Sequence, residues 1–133
     1  MKIKTMNLYV DDQEKALRFY TDKLGFMKKA DFTQGSYRWL TVVSAEEPGG
    51  VELVLAPSAF MPAAKTYHQA LREQGMPAAM FFVDDAKKEH ERLQALGVTF
   101  TKPPTKTTGS TIAMLDDTCG NLIQLTQLDA WAK

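Results

Sequence analysis

The chain has 133 residues, 44% apolar and 24% charged, which suits a globular domain with a buried core. Its sixteen basic and sixteen acidic side chains cancel, so no basic stripe is left for nucleic acid or an anionic membrane surface. The single cysteine, Cys119, excludes an intrachain disulfide, and no apolar run approaches membrane-spanning length, so an intracellular, cytoplasmic location is expected.

Residues 3–10 alternate: Met6, Leu8 and Val10 are apolar, with Thr5, Asn7 and Tyr9 in the opposite phase. That is the pattern of a strand with one face on a core. Asp11-Asp12 follow as helix-start residues, their carboxylates suited to free N–H groups and the positive end of the dipole. Ala16, Leu17, Phe19, Tyr20 and Leu24 form a stripe at helical spacing, and Gly25 ends the helix. Strands are predicted over 26–32, 37–44 and 51–55, divided by turns at Gln34-Gly35 and Pro48-Gly49-Gly50. A connector over 57–77 holds a helix from about Ala63 to Gln74, begun after Pro62 and closed by Gly75.

The order then repeats, with a strand over 78–83, a helix over 86–96, and strands over 98–101, 110–115 and 121–127. Asp116-Asp117-Thr118-Cys119-Gly120-Asn121 makes the last turn. Residues 33–35 and 102–109 are expected to be loops at the mouth of a site or in solvent. The tail after Leu128 is expected to dock or fray.

Val10-Asp11-Asp12 and Val83-Asp84-Asp85 stand 73 residues apart, whereas Leu24-Gly25-Phe26 and Leu96-Gly97-Val98 stand 72 apart. The chain is therefore two copies of one β-α-β-β-β unit that differ by one residue inside the helix. The expected fold is α+β: two tandem modules forming a cup-shaped eight-stranded sheet with helices outside. One domain spans 1–133, with module one at 3–56, the connector at 57–77 and module two at 78–128.

In each copy the helix covers one sheet face and leaves the other to line the cup. That places Thr5, Asn7 and Tyr9 in the cup from the first strand, and Ala78, Met80 and Phe82 from the fifth. The third strand adds Tyr37, Trp39 and Thr41, with Arg38 on the helix side. Glu52 and Val54 come from the fourth strand, and Leu122, Gln124 and Thr126 from the eighth. Glu52 and Gln124 are 72 residues apart and read as equivalent places. A carboxylate within Val51-Glu52-Leu53-Val54-Leu55 is costly to bury unless paired, hydrogen-bonded or bound to a cation. Glu52 is thus a metal ligand, a general base or a ligand anchor, or else it lies on a strand face open to solvent. Gln124 is a cup-lining amide or a structural hydrogen-bonding group. His68 and His90, on helices, read as surface histidines, and Cys119 as a buried filler.

The repeated unit, the Leu8-Tyr9-Val10-Asp11-Asp12 and Phe82-Val83-Asp84-Asp85 openings, Phe19-Tyr20 before Leu24-Gly25-Phe26, and Asp117-Thr118-Cys119-Gly120-Asn121-Leu122-Ile123-Gln124 together resemble the vicinal oxygen chelate superfamily. This group includes glyoxalase I, bleomycin-resistance proteins, fosfomycin-resistance enzymes and extradiol dioxygenases. Its metal-dependent members draw ligands from the first, fourth, fifth and eighth strands, which here implies Thr5, Glu52, Ala78 and Gln124. Only Glu52 supplies a charged donor there, too few for a divalent transition metal, so no cofactor is expected.

Three functions follow, in this order. The first is a metal-free protein of the bleomycin-resistance kind that binds a small organic molecule through Thr5, Asn7, Trp39, Thr41, Glu52, Met80, Phe82 and Gln124. In the second, Glu52 is the catalytic acid or base of a metal-free enzyme. The third is a glyoxalase I-type lyase or isomerase whose metal sphere is completed by a partner subunit or water. The resemblance also implies a homodimer, and neither nucleic acid nor membrane is an expected partner.

Overall fold

The computed structural model describes all 133 residues and divides into two compact units, Met1–Tyr67 and His68–Lys133. In the first, β1 (Thr5–Val10) leads into α1 (Gln13–Arg18), which continues as a π turn over Phe19–Lys23. Strands β2 (Met27–Gln34), β3 (Tyr37–Val43) and β4 (Glu52–Pro57) follow, then a 3-10 turn at Ser58–Phe60. Helix α2 (Pro62–Glu73) carries the chain from one unit into the other. The second unit holds β5 (Ala79–Phe82), α3 (Ala86–Ala95), β6 (Phe100–Thr107), β7 (Ser110–Asp116) and β8 (Leu122–Leu128), closed by a 3-10 turn at Ala130–Ala132.

The expected eight strands hydrogen-bond as two four-stranded sheets, ordered β1-β4-β3-β2 and β5-β8-β7-β6. Each is mixed: β1 runs parallel to β4 and β5 parallel to β8, and the remaining pairs are antiparallel. The parallel pair is the one that needs a long crossover, and each module's helix lies within it.

Asp12 and Asp85 cap the two helices in the same way. Each has extended backbone, and its carboxylate accepts from the N–H three residues on, at Lys15 and Lys88. The one-residue difference between the copies is the π turn. Leu24 N–H reaches back five residues to the Phe19 carbonyl at 3.2 Å, whereas Leu96 N–H reaches four, to Arg92. The extra residue is thereby absorbed without disturbing Phe19 and Tyr20, which stay buried beneath the helix.

One face of each sheet carries the main apolar core. Leu8, Val10, Leu40, Val42 and Leu55 are buried in the first unit, as are Ala16, Phe19 and Tyr20 of its helix. Ala113, Leu115, Ile123 and Leu125 play that part in the second, with Ala86 and Leu93 of α3. Burying one such leucine contributes roughly 1.5–3 kcal/mol. Arg38 lies on the helix side, as its alternation implied, bonded to Glu14 of α1 and Asp31 of β2.

Two expectations need correction, and one open choice is decided. Most of the 102–109 loop is edge strand: β6 runs through Pro103 and Pro104, and its register against β7 shifts twice. Proline and bulges are tolerated at an edge because no outer neighbour needs the missing N–H. The histidines are half-buried, with the His90 ring edge-on to Phe100 at 4.5 Å and His68 bonded to Asn121 of the last turn. Of the two fates expected for the tail, docking is the one observed. Asp129 N–H donates to the Gly109 carbonyl, Lys106 pairs with Asp129, and the Trp131 ring lies against Gly109.

Candidate functional site

In the first unit the face away from α1 is built outward from Glu52. Register sets Glu52 opposite Thr5 and Val54 opposite both Asn7 and Thr41, so these side chains share one face. Glu52 is 9% exposed and Thr41 fully buried. The Thr41 hydroxyl donates to Glu52 Oε1 at 2.8 Å and accepts from the Ala30 N–H at 3.1 Å. That N–H is available because β2 bulges between Lys28 and Asp31, freeing it from the ladder. The bulge thus fixes the hydroxyl's proton on the carboxylate side, and Glu52 Oε2 makes no hydrogen bond within the protein.

Aromatic side chains continue this face. Trp39 lies opposite Phe32, their ring centroids 6.4 Å apart, and Tyr37 meets Phe60 edge-on at 5.7 Å. Phe32 and Phe60 remain largely exposed, as do Thr5 and Asn7.

In the second unit Met80 lies opposite Gln124 and Phe82 opposite Thr126. Met80 and Phe82, on the edge strand β5, are 56% and 62% exposed. The Gln124 amide donates to Met80 Sδ at 3.4 Å and Thr126 Oγ1 at 3.0 Å, which leaves its carbonyl oxygen as an open acceptor.

The structure keeps the sequence-derived residues in two groups: Thr5, Asn7, Trp39, Thr41 and Glu52 on one sheet, Met80, Phe82 and Gln124 on the other. It breaks the equivalence of Glu52 and Gln124. Met80 stands 73 residues after Asn7, so Gln124, opposite Met80, is the counterpart of Val54. The place matching Glu52 belongs to Leu122, which accepts the Ala78 N–H at 2.8 Å. A two-residue slip keeps the face but moves a side chain along the strand, so alternation could not reveal it.

Sequence reasoning missed the polar cluster in the last turn. The buried Asp117 carboxylate accepts from the backbone N–H groups of Cys119 and Asn121 and from the Asn121 side chain. Asn121 in turn meets His68, whose pKa is pushed below 6.5 by burial, opposed by the Asp117 charge and the Asn121 hydrogen bond. The Asp-x-x-x-Asn spacing across a glycine turn was the available signal. No three His, Cys, Asp or Glu side chains gather as a metal-binding group.

Residues 2–125 match the family described as the Glyoxalase/Bleomycin resistance protein/Dioxygenase superfamily. The chain is 52% identical over 127 residues to the uncharacterized protein YurT of Bacillus subtilis (strain 168), covering 96% of this chain and 99% of that one. Among solved structures, UcmS2 superposes with a TM-score of 0.81 at 32% identity, covering 95% of this chain and 97% of the other. TnmS3, an antibiotic binding protein from Streptomyces sp. CB03234, gives 0.77 at 28% identity, with 97% of each chain covered.

Proposed function

For a chain that belongs to the Glyoxalase/Bleomycin resistance protein/Dioxygenase superfamily, we propose a role in binding a small, planar organic molecule against the sheet faces opposite α1 and α3, without a metal ion. The observation that carries this reading is the run of aromatic and methionine side chains left uncovered beside single polar anchors. Phe32, Trp39 and Phe60 lie further along the sheet that carries Glu52 in one unit, and Met80 and Phe82 lie on the strand beside Gln124 in the other. Apolar walls with a few fixed polar groups are the usual composition of an organic-ligand site.

Glu52 Oε2 and the Gln124 carbonyl are hydrogen-bond acceptors, so the favoured ligand carries N–H or O–H groups at its rim. The donors at the superfamily's metal positions do not fit a divalent transition metal: Thr5 offers a neutral hydroxyl, Gln124 a neutral amide and Ala78 nothing. The antibiotic-binding relative supports the reading by similarity, and a homodimer is proposed with it.

The test is a titration with bleomycin and a panel of planar aromatic antibiotics. Trp39 fluorescence reports binding, and Trp39→Phe separates its signal from that of Trp131. Saturable quenching with a rise in melting temperature supports the reading. A flat response and an unchanged melting temperature across the panel refute it.

A further inference from the structure

A second site lies wholly within the His68–Lys133 unit. A cavity of about 500 Å³ opens between the end of α2 and the sheet, lined by Arg72, Gly75, Thr101, Lys102, Met114 and Leu122. Its volume falls inside the range of about 300–1,000 Å³ usual for small-ligand sites. We propose that it takes the carboxylate of a small organic acid whose apolar body rests on Met114 and Leu122.

The first support is the place of these residues in the repeat. Met114 lies opposite Gln124 as Thr41 lies opposite Val54, and Leu122 holds the strand place of Glu52. The cavity floor is therefore the second copy of the Thr41–Glu52 position. Where the first unit has a buried carboxylate and its hydroxyl partner, the second has two apolar side chains rimmed by two cations.

The bulge supplies the next. Phe100 lies opposite Leu115 and Lys102 opposite Met114, so β6 spends two residues where β7 spends one. In a regular strand Thr101 and Lys102 would point to opposite faces, yet both line the cavity, as a bulge at that step allows. A hydroxyl and an ammonium group are thereby delivered from consecutive positions.

The cations themselves are not saturated. Lys102 makes no side-chain hydrogen bond or ion pair, and Arg72 gives Nη2 to Asp116 Oδ2 at 2.6 Å and spends no other donor within the protein. That bond anchors the guanidinium at the rim and leaves other N–H groups for a carboxylate, the acceptor its planar fork matches. Asp116 and Asp117 are the carboxylates that face Arg72, and neither pairs with Lys102, whose ammonium is the free positive charge at the rim.

This inference deepens the binding reading above and rests on it for the presence of an organic ligand, adding that the ligand is an acid. The experiment uses the full chain and two probes of one shape, 2-naphthoate and its neutral carboxamide. Affinity is read by calorimetry, and the site by the NMR shift of the Met114 methyl group. Binding of naphthoate about tenfold tighter than the carboxamide, lost in Lys102→Met and restored in Lys102→Arg, is the expected result. Lys102 is exposed, so its substitution leaves the fold intact. Equal affinity for acid and amide, an unmoved Met114 methyl, or full naphthoate affinity in Lys102→Met overturns the proposal. If naphthoate fails while the aromatic panel still quenches Trp39, the acid site alone falls; if both fail, the binding reading falls with it.

Discussion

Thr41→Val tests whether the Glu52 position is built as the geometry implies. Valine keeps the branched shape and removes only the hydroxyl, so the core contacts of a fully buried residue stay in place. Two hydrogen bonds go: the one to Glu52 Oε1 at 2.8 Å and the one from Ala30 N–H at 3.1 Å. The bond to a carboxylate is worth about 1.5–3 kcal/mol and the neutral one about 0.5–1.5, giving a loss of roughly 2–4.5 kcal/mol. In a Glu52→Leu background no carboxylate remains to be stranded, and Thr41→Val should then cost only about 1 kcal/mol, the share of Ala30. Urea unfolding of wild type, both single variants and the double variant, followed by tryptophan fluorescence, yields the coupling directly. Equal costs of Thr41→Val in the two backgrounds would refute the relay, because the hydroxyl would then not be serving the carboxylate.

Gly109→Ala places a methyl group about 3.2 Å from the Trp131 ring at a residue with φ +84°, so the tail should lift and Trp131 emission shift to the red; an unchanged spectrum would show the tail is not held there. His68 is favoured neutral in the fold by burial, so stability should be full above 6.5 and fall as pH drops from there through its lowered folded value. His68→Gln should flatten that segment of a melting-temperature profile. The Arg38 guanidinium holds the Asp31 carboxyl below 3.8, so its contribution is present above that pH and lost as pH falls through the lowered value; Asp31→Asn should remove this acid limb from the profile. Asp85→Ala removes the cap of α3 and should cost about 1 kcal/mol by urea unfolding.

Much of the fold was legible because local chemistry wrote it. Asp12 and Asp85 mark the helix starts by capping, and the alternation of β1 gives its buried face. The mismatch between the 73- and 72-residue spacings became the π turn at Phe19–Lys23, since a helix absorbs one extra residue by widening one hydrogen-bonded turn. Arg38 was placed on the helix side by parity alone. The edge strand β6 was not legible, because its prolines carry the signal of a loop and only its position at the sheet edge makes them acceptable.

The site divides along the same line. Sequence by itself put Glu52, Trp39, Met80, Phe82 and Gln124 in one phase of their strands, opposite the phase read as packing under α1 and α3, since side-chain parity follows from a period of two. Only the tertiary structure decided which residues meet across strands. Gln124 answers to Val54 and Leu122 to Glu52, and His68 and Arg72 of α2 reach the turn and the strand end at Asn121 and Asp116. A slip of two residues leaves every hydrophobic pattern unchanged, so register is fixed by hydrogen bonds, bulges and loop lengths that no spacing along one strand can encode.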